Sequence, residues 1–79
     1  MNKLVWEKFT PAVLQEIPCD EMFFIKGTQI DPIAVNYEWE QGRWPNVFTF
    51  VDSGGHQSYR FRDEELGMIS HYARLDINS

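Results

Sequence analysis

Large apolar side chains alternate with polar ones along three successive segments of this 79-residue chain. The alternation runs through residues 33–40 and returns in residues 48–51 and 58–62. Because successive residues of a β-strand point to opposite faces, each segment directs its large apolar groups to one side. Three such segments in succession predict an antiparallel sheet with one aromatic face and one solvated face.

The turn sequences predict a register for these strands. Ser53-Gly54-Gly55 is typical of a tight hairpin, because glycine accepts the positive φ that such turns need. With both glycines in the turn, Phe50 is expected opposite Tyr59. The expected core face comprises Val35, Tyr37, Trp39, Phe48, Phe50, Tyr59 and Phe61, with Trp39 beside Phe48 and Phe48 opposite Phe61. The opposite face is expected to carry Glu38, Glu40, Thr49, Arg60 and Arg62.

The segments before these strands predict a short helix and a further strand. Thr10 followed by Pro11 is a helix-start signal, and the apolar residues of 13–17 fall at helical spacing. Residues 22–26 form a compact apolar run closed by Gly27 and are predicted to be a buried strand. Asp31-Pro32 favours a chain reversal.

After the hairpin strands, residues 63–66 are predicted to form one helical turn with Asp63 as its cap, and residues 68–77 a last strand. The whole chain, residues 1–79, is thus predicted to be a single small α+β domain. Its sheet is expected to be a mainly antiparallel meander of four or five strands, with one short helix packed on the aromatic face.

Composition restricts the cellular setting and the partners. The chain carries 12 acidic and seven basic residues, a formal charge of −5, which disfavours binding to duplex nucleic acid. The single cysteine, Cys19, excludes an internal disulfide and a cysteine-rich zinc site. The longest apolar run is too short to span a bilayer. We therefore expect a soluble cytoplasmic protein without a membrane or nucleic-acid partner.

The C-terminal segment Ile69-Ser70-His71-Tyr72-Ala73-Arg74-Leu75 resembles a known motif. It is similar to the terminal Val-Thr-His-Trp-Met-Pro-Leu of a family of small phage and prophage proteins of unknown function. Trp6, Ile17-Pro18 and Phe23-Phe24-Ile25 match that family's early tryptophan, its Leu-Pro pair and its first strand in order. The resemblance implies an origin in a phage or mobile element, and it carries no catalytic residues over.

No residue combination in the sequence forms a recognisable catalytic or metal-binding motif. His71 and His56, with nearby carboxylates, are the candidates for a small enzyme or ligand-binding domain, but they lack metal-ligand spacing. Cys19 has no histidine at a motif distance to activate it. We therefore predict no cofactor, no metal and no enzymatic activity, and we keep the histidine site as the alternative.

A protein-contact surface is the remaining candidate. Arg43 and Trp44 lie in a loop outside the alternation, and both residue types are frequent anchors of interfaces. In the competing interpretation Trp44 folds back to cover one end of the core. The acidic residues Glu38, Glu40, Asp63, Glu64 and Glu65 complete the candidate site.

These features together predict a non-enzymatic accessory protein of phage or prophage origin that binds another protein. Inhibition of a host defence or nucleic-acid enzyme is one expected outcome, with the carboxylates imitating phosphate charge. An exposed sheet edge also allows pairing of two copies into a homodimer.

Overall fold

The computed structural model describes residues 4–74, which form one six-stranded antiparallel sheet. The strands are β1 (Glu7–Lys8), β2 (Phe23–Gly27), β3 (Ile30–Trp39), β4 (Asn46–Asp52), β5 (Gly55–Phe61) and β6 (Ile69–Arg74). Their order across the sheet is β1-β6-β2-β3-β4-β5. The antiparallel sheet predicted from the alternation is confirmed, and β2-β3-β4-β5 follow one another in it as a meander.

The α+β class with four or five strands is wrong, because the fold is mainly β and has six strands. The helical segments within residues 4–74 are two 3₁₀ helices, Pro11–Gln15 and Asp63–Met68. The first begins at the predicted proline but ends before Pro18, which leaves too few residues for an α-helix. The second has Arg62 rather than Asp63 as its cap. The predicted continuation of the last strand through residues 75–77 lies outside the described residues.

Strand β3 joins two halves of the sheet. Its first part pairs with β2, with Val35 opposite Phe23, and its last part pairs with β4, with Tyr37 opposite Phe48. Pro32 lies in the first part, beside an irregularity in the β2–β3 register. A residue without an N–H group is tolerated there because the regular ladder is already interrupted.

The hairpin register differs from the predicted one by two residues. Asp52 and Gly55 close the turn, so Phe48 lies opposite Tyr59 and Phe50 opposite Gln57. The turn residues are therefore Ser53 and Gly54, and Gly55 follows them with φ +103°. Because the shift is an even number of residues, every side chain stays on its predicted face.

The predicted chain reversal at Asp31-Pro32 is wrong, because the chain turns earlier, between β2 and β3. Gln29 takes the left-handed φ of 63° that this turn requires. Gly27 ends β2 against the backbone of β6, where a Cβ atom would overlap the carbonyl oxygen of Met68. The close approach of these two backbones requires glycine.

One hydrophobic core covers the aromatic face of the sheet. Its buried members from the strands include Phe23, Ile25, Val35, Phe48 and Phe61. The N-terminal segment closes the core from above, with buried members Phe9, Val13 and Ile17. This layer confirms the predicted apolar stripe, although it is carried by a 3₁₀ helix.

The burial of two residues differs from what their faces predict. Trp39 was predicted in the core and is 60% exposed, because it lies at the end of β3 beyond the covering segment. Val47 lies on the opposite, polar face and is nevertheless buried. Its cross-strand neighbours are Glu38 and Arg60, whose long side chains flank it.

Among the described residues, no helix is long and apolar enough to cross a membrane.

Candidate protein-interaction site

The fold gathers most of the predicted contact residues at one end of the sheet. Asn46, the first residue of β4, is the register partner of both Trp39 and Phe61. The β3–β4 loop and the segment after β5 therefore leave the sheet side by side. We call this region the tryptophan end of the sheet; it comprises Trp39, Arg43, Trp44, Arg62 and the acidic residues 63–65.

Trp44 lies on the surface of the tryptophan end. It is 42% exposed and is not part of the core, so the interpretation in which it covers the core is wrong. The guanidinium carbons of Arg43 and Arg62 lie 5.6 and 5.5 Å from the centre of its ring. Both distances are within the range of cation–π attraction, which orients the indole while leaving it accessible.

Trp39 adds a second exposed indole to the same end. It follows Tyr37 on the core face of β3, as the last residue of that strand, and it is 60% exposed. Large aromatic groups with a polar edge are frequent anchors of protein interfaces. The tryptophan end thus presents two such groups from adjacent parts of the chain.

A buried hydrogen-bond network supports the tryptophan end from below. Asn46 is 2% exposed, and its Oδ1 accepts a hydrogen bond of 2.6 Å from the Tyr37 hydroxyl. Its Nδ2 donates to Asp63 Oδ1 at 2.8 Å and to the Phe61 carbonyl oxygen at 3.3 Å. Asn46 therefore ties three separate segments of the chain together.

The network also affects the Tyr37 hydroxyl. Burial first, and then the negative charge of Asp63, raise the pKa of Tyr37 above its ordinary value of 10.0. The hydroxyl therefore remains protonated and keeps its role as donor to Asn46.

A cavity of about 300 Å³ opens beside this network. It lies between the first 3₁₀ helix and the ends of β3 and β4. Its lining residues are Pro11, Leu14, Gln15, Tyr37, Trp39, Asn46, Asp63 and Leu66. Two aromatic rings and a carboxylate therefore border one concave space.

The predicted acidic residues occupy different environments. Glu40 pairs with Arg60 at 3.1 Å, and Glu65 accepts a 2.7 Å hydrogen bond from the backbone N–H of Arg62. Glu38 and Glu64 are exposed, and neither carboxylate makes a hydrogen bond to another described residue. Glu40 and Glu65 are thus hydrogen-bonded, whereas Glu38 and Glu64 expose their carboxylates.

The two histidines lie far apart in the sheet. His56 is in β5 and His71 in β6, which are separated by β2, β3 and β4. At about 4.8 Å per strand the two strands are roughly 19 Å apart. His71 contacts the Ser70 hydroxyl at 3.0 Å, and Lys8 and Lys26 are its register partners. The structure does not combine the histidines into one site.

Within residues 4–74, no three histidine, cysteine, aspartate or glutamate side chains lie close enough together to hold a metal ion. Cys19 is exposed.

Strand β5 forms one free edge of the sheet. Seven residues of β5 pair with β4 without a bulge, and no described strand lies on the other side. The Glu40 N–H donates to the Pro45 carbonyl oxygen at 2.8 Å. By the alternation of antiparallel ladders, the backbone of Phe48 then faces β5. The backbone groups left at the free edge belong to His56, Ser58 and Arg60.

The sequence-based prediction missed three contributors to this end, namely Trp39, Asn46 and Arg62. The role of Asn46 could have been predicted, because it lies two residues before Phe48 and therefore points to the core face. A polar side chain on that face requires buried hydrogen-bond partners. The exposure of Trp39 and the stacking of Arg62 could not have been predicted in this way, because both depend on how the loops end.

Comparison of the chain with protein-family models, curated proteins and solved structures gave no match.

Proposed function

We propose that this protein is a non-enzymatic accessory protein that binds another protein through the tryptophan end. The observation that supports the proposal best is the exposure of two indoles, Trp39 and Trp44, at one end of the sheet. Two guanidinium groups lie near the Trp44 ring, and Asn46 links the neighbouring chain segments by hydrogen bonds. A preorganised aromatic surface loses little side-chain entropy on binding.

The proposed partner carries a basic surface. The chain has a formal charge of −5, and at the tryptophan end the three carboxylates of residues 63–65 outnumber the guanidinium groups of Arg43 and Arg62. Complementary charge accelerates association and selects against acidic partners. With the resemblance to a phage and prophage family, this charge favours a bacterial enzyme that acts on nucleic acid or in defence as the target, and inhibition as the result.

Affinity capture from a bacterial lysate tests this proposal when it is made with matched variants. Trp44→Ala removes one of the two exposed indoles, whereas Val51→Ala removes a still more exposed apolar side chain near the hairpin at the opposite end of β4. We expect a basic protein to be retained by the wild type and by Val51→Ala but lost with Trp44→Ala. Equal retention of the same proteins by all three baits would refute the assignment of the surface.

We also propose that two copies associate through the free edge of β5. An antiparallel pairing of β5 with its symmetry copy, centred on Ser58, places Gly55 opposite Phe61 of the second copy. An aromatic ring across from a glycine covers the exposed backbone of that position. The outward backbone groups of β5 then bond reciprocally, as in other isologous contacts.

A further inference from the structure

The residues that line the cavity beside Asn46 favour a positively charged ligand. Asp63 is the one charged side chain among the described residues that line it. Tyr37 and Trp39 contribute aromatic faces, and Pro11 and Leu14 contribute apolar walls. Aromatic faces attract cations through their quadrupole, and the carboxylate attracts them directly.

The hydrogen bonds of the network run in one direction, toward Asp63. The Tyr37 hydroxyl donates to Asn46, and Asn46 donates to Oδ1 of Asp63. No side chain of residues 4–74 donates a hydrogen bond to the second oxygen, Oδ2. The donors of Tyr37 and Asn46 are thus already used, and the group left to meet a ligand is a carboxylate acceptor.

We propose that this cavity binds the guanidinium group of an arginine side chain of the partner protein. A guanidinium group is planar, carries several N–H donors and stacks on aromatic rings, so it matches both the Asp63 carboxylate and the Trp39 indole. The volume of about 300 Å³ is at the lower limit for small-molecule sites and suits one side chain rather than a cofactor.

This inference rests on the proposed function, since it names the residue that the partner inserts. It also accounts for the position of Trp39 at the rim. There the exposed indole covers one side of the entering cation, while the acidic residues around the tryptophan end draw basic groups toward the opening. A buried arginine anchor next to exposed tryptophans is a common composition for an interface hot spot.

The test is an NMR titration of the ¹⁵N-labelled protein with Nα-acetyl-arginine N-methylamide. The neutral control ligand is the corresponding citrulline amide, which has nearly the same shape without the charge. The readout is the indole N–H signal of Trp39, compared with that of Trp6, which contacts Lys26 elsewhere in the fold. We expect saturable shifts of the Trp39 signal with the arginine amide and at least fivefold weaker binding of the citrulline amide.

Three variants make the test specific. Asp63→Asn removes the charge but keeps an oxygen to accept the hydrogen bond from Asn46, and we expect at least fivefold weaker binding. Glu64→Gln removes the neighbouring exposed charge and is expected to change the affinity by less than twofold. Trp39→Ala removes the rim and leaves the hydrogen-bond network in place. Because it also removes the indole that reports binding, its affinity is followed through the side-chain amide signal of Asn46, and we expect at least fivefold weaker binding. The dispersion of the amide spectrum shows that each variant is folded.

Equal binding of the two amides, or unchanged binding to Asp63→Asn and Trp39→Ala, would overturn the inference. These outcomes are separable from the fate of the proposed function. A partner captured through Trp44 while the arginine amide fails to bind would refute the cavity and leave the proposed function. If the arginine amide binds but no partner is captured through Trp44, the cavity assignment stands and the proposed function is refuted.

Discussion

Replacement of Asn46 by alanine tests whether the buried network holds the tryptophan end together. The change removes a hydrogen bond at each of 2.6, 2.8 and 3.3 Å, and it leaves the Phe61 carbonyl oxygen without its side-chain donor. Each such bond contributes about 0.5–1.5 kcal/mol net. The Tyr37 hydroxyl and Asp63 regain part of this from water, so we expect a loss of about 2–3 kcal/mol.

That loss is large for a chain of 79 residues, whose total stability is about 4–12 kcal/mol at the usual stability per residue. It corresponds to a fall of roughly 10–20 °C in Tm. Urea unfolding followed by tryptophan fluorescence and by far-ultraviolet circular dichroism measures it. Tyr37→Phe, which removes one bond of the network, should cost about 1 kcal/mol.

Thr49→Ala is the matched control, because its hydroxyl makes a single exposed 3.5 Å contact with the Asn36 carbonyl oxygen. We expect this change to alter the free energy of unfolding by less than about 0.5 kcal/mol. If Asn46→Ala lowers the free energy of unfolding no more than Thr49→Ala does, the network does not stabilise the tryptophan end. The argument that this surface is preorganised would then be refuted.

Three further predictions concern other parts of the fold. Gly27→Ala should destabilise the protein by at least about 1–3 kcal/mol in urea unfolding, because its Cβ atom overlaps Met68; Gly67→Ala, in open space, is the comparison. Glu21→Gln breaks the paired hydrogen bonds of 2.7 and 2.8 Å to Arg74. Because this ion pair is exposed, the change should lower the free energy of unfolding by less than about 1 kcal/mol at neutral pH. The hydrogen bond from Arg74 lowers the pKa of Glu21 below 4.5, so this cost is present above pH 4.5 and disappears as the pH falls through the folded-state value. A constant difference between wild type and Glu21→Gln from pH 7 to pH 2 would contradict it. Ser58→Pro should convert a dimer to a monomer in light scattering, because it removes an N–H at the free edge of β5, whereas Ser58→Ala should not. A monomeric wild type would refute the edge contact.

The alternation of side chains predicted the faces of the central sheet more reliably than its register. The hairpin turn uses Ser53 and Gly54 rather than the two glycines, which shifts Phe48 from Phe61 to Tyr59. This error left the core intact, because a shift by two residues preserves the side of every residue. Parity is a local property, whereas register depends on which residues the turn selects.

Parity could not show how far the core extends along each strand. Trp39 lies on the predicted face but is the last residue of β3, where it borders a cavity with the first 3₁₀ helix and is 60% exposed. The insertion of β6 between β1 and β2 likewise depends on long-range pairing that no local pattern encodes. These two features decide which aromatic groups remain exposed, and therefore where the candidate site lies.

The most direct test of the central claim is the affinity of the captured partner for the wild type and for Trp44→Ala, measured by titration calorimetry. Removal of a central interface tryptophan costs at least about 2 kcal/mol, or roughly 30-fold in Kd. We predict a loss of that size for Trp44→Ala, unchanged affinity for Val51→Ala, and weaker binding of the wild type as salt is raised. A Kd that is the same for all three proteins would contradict the claim that the tryptophan end is the binding surface.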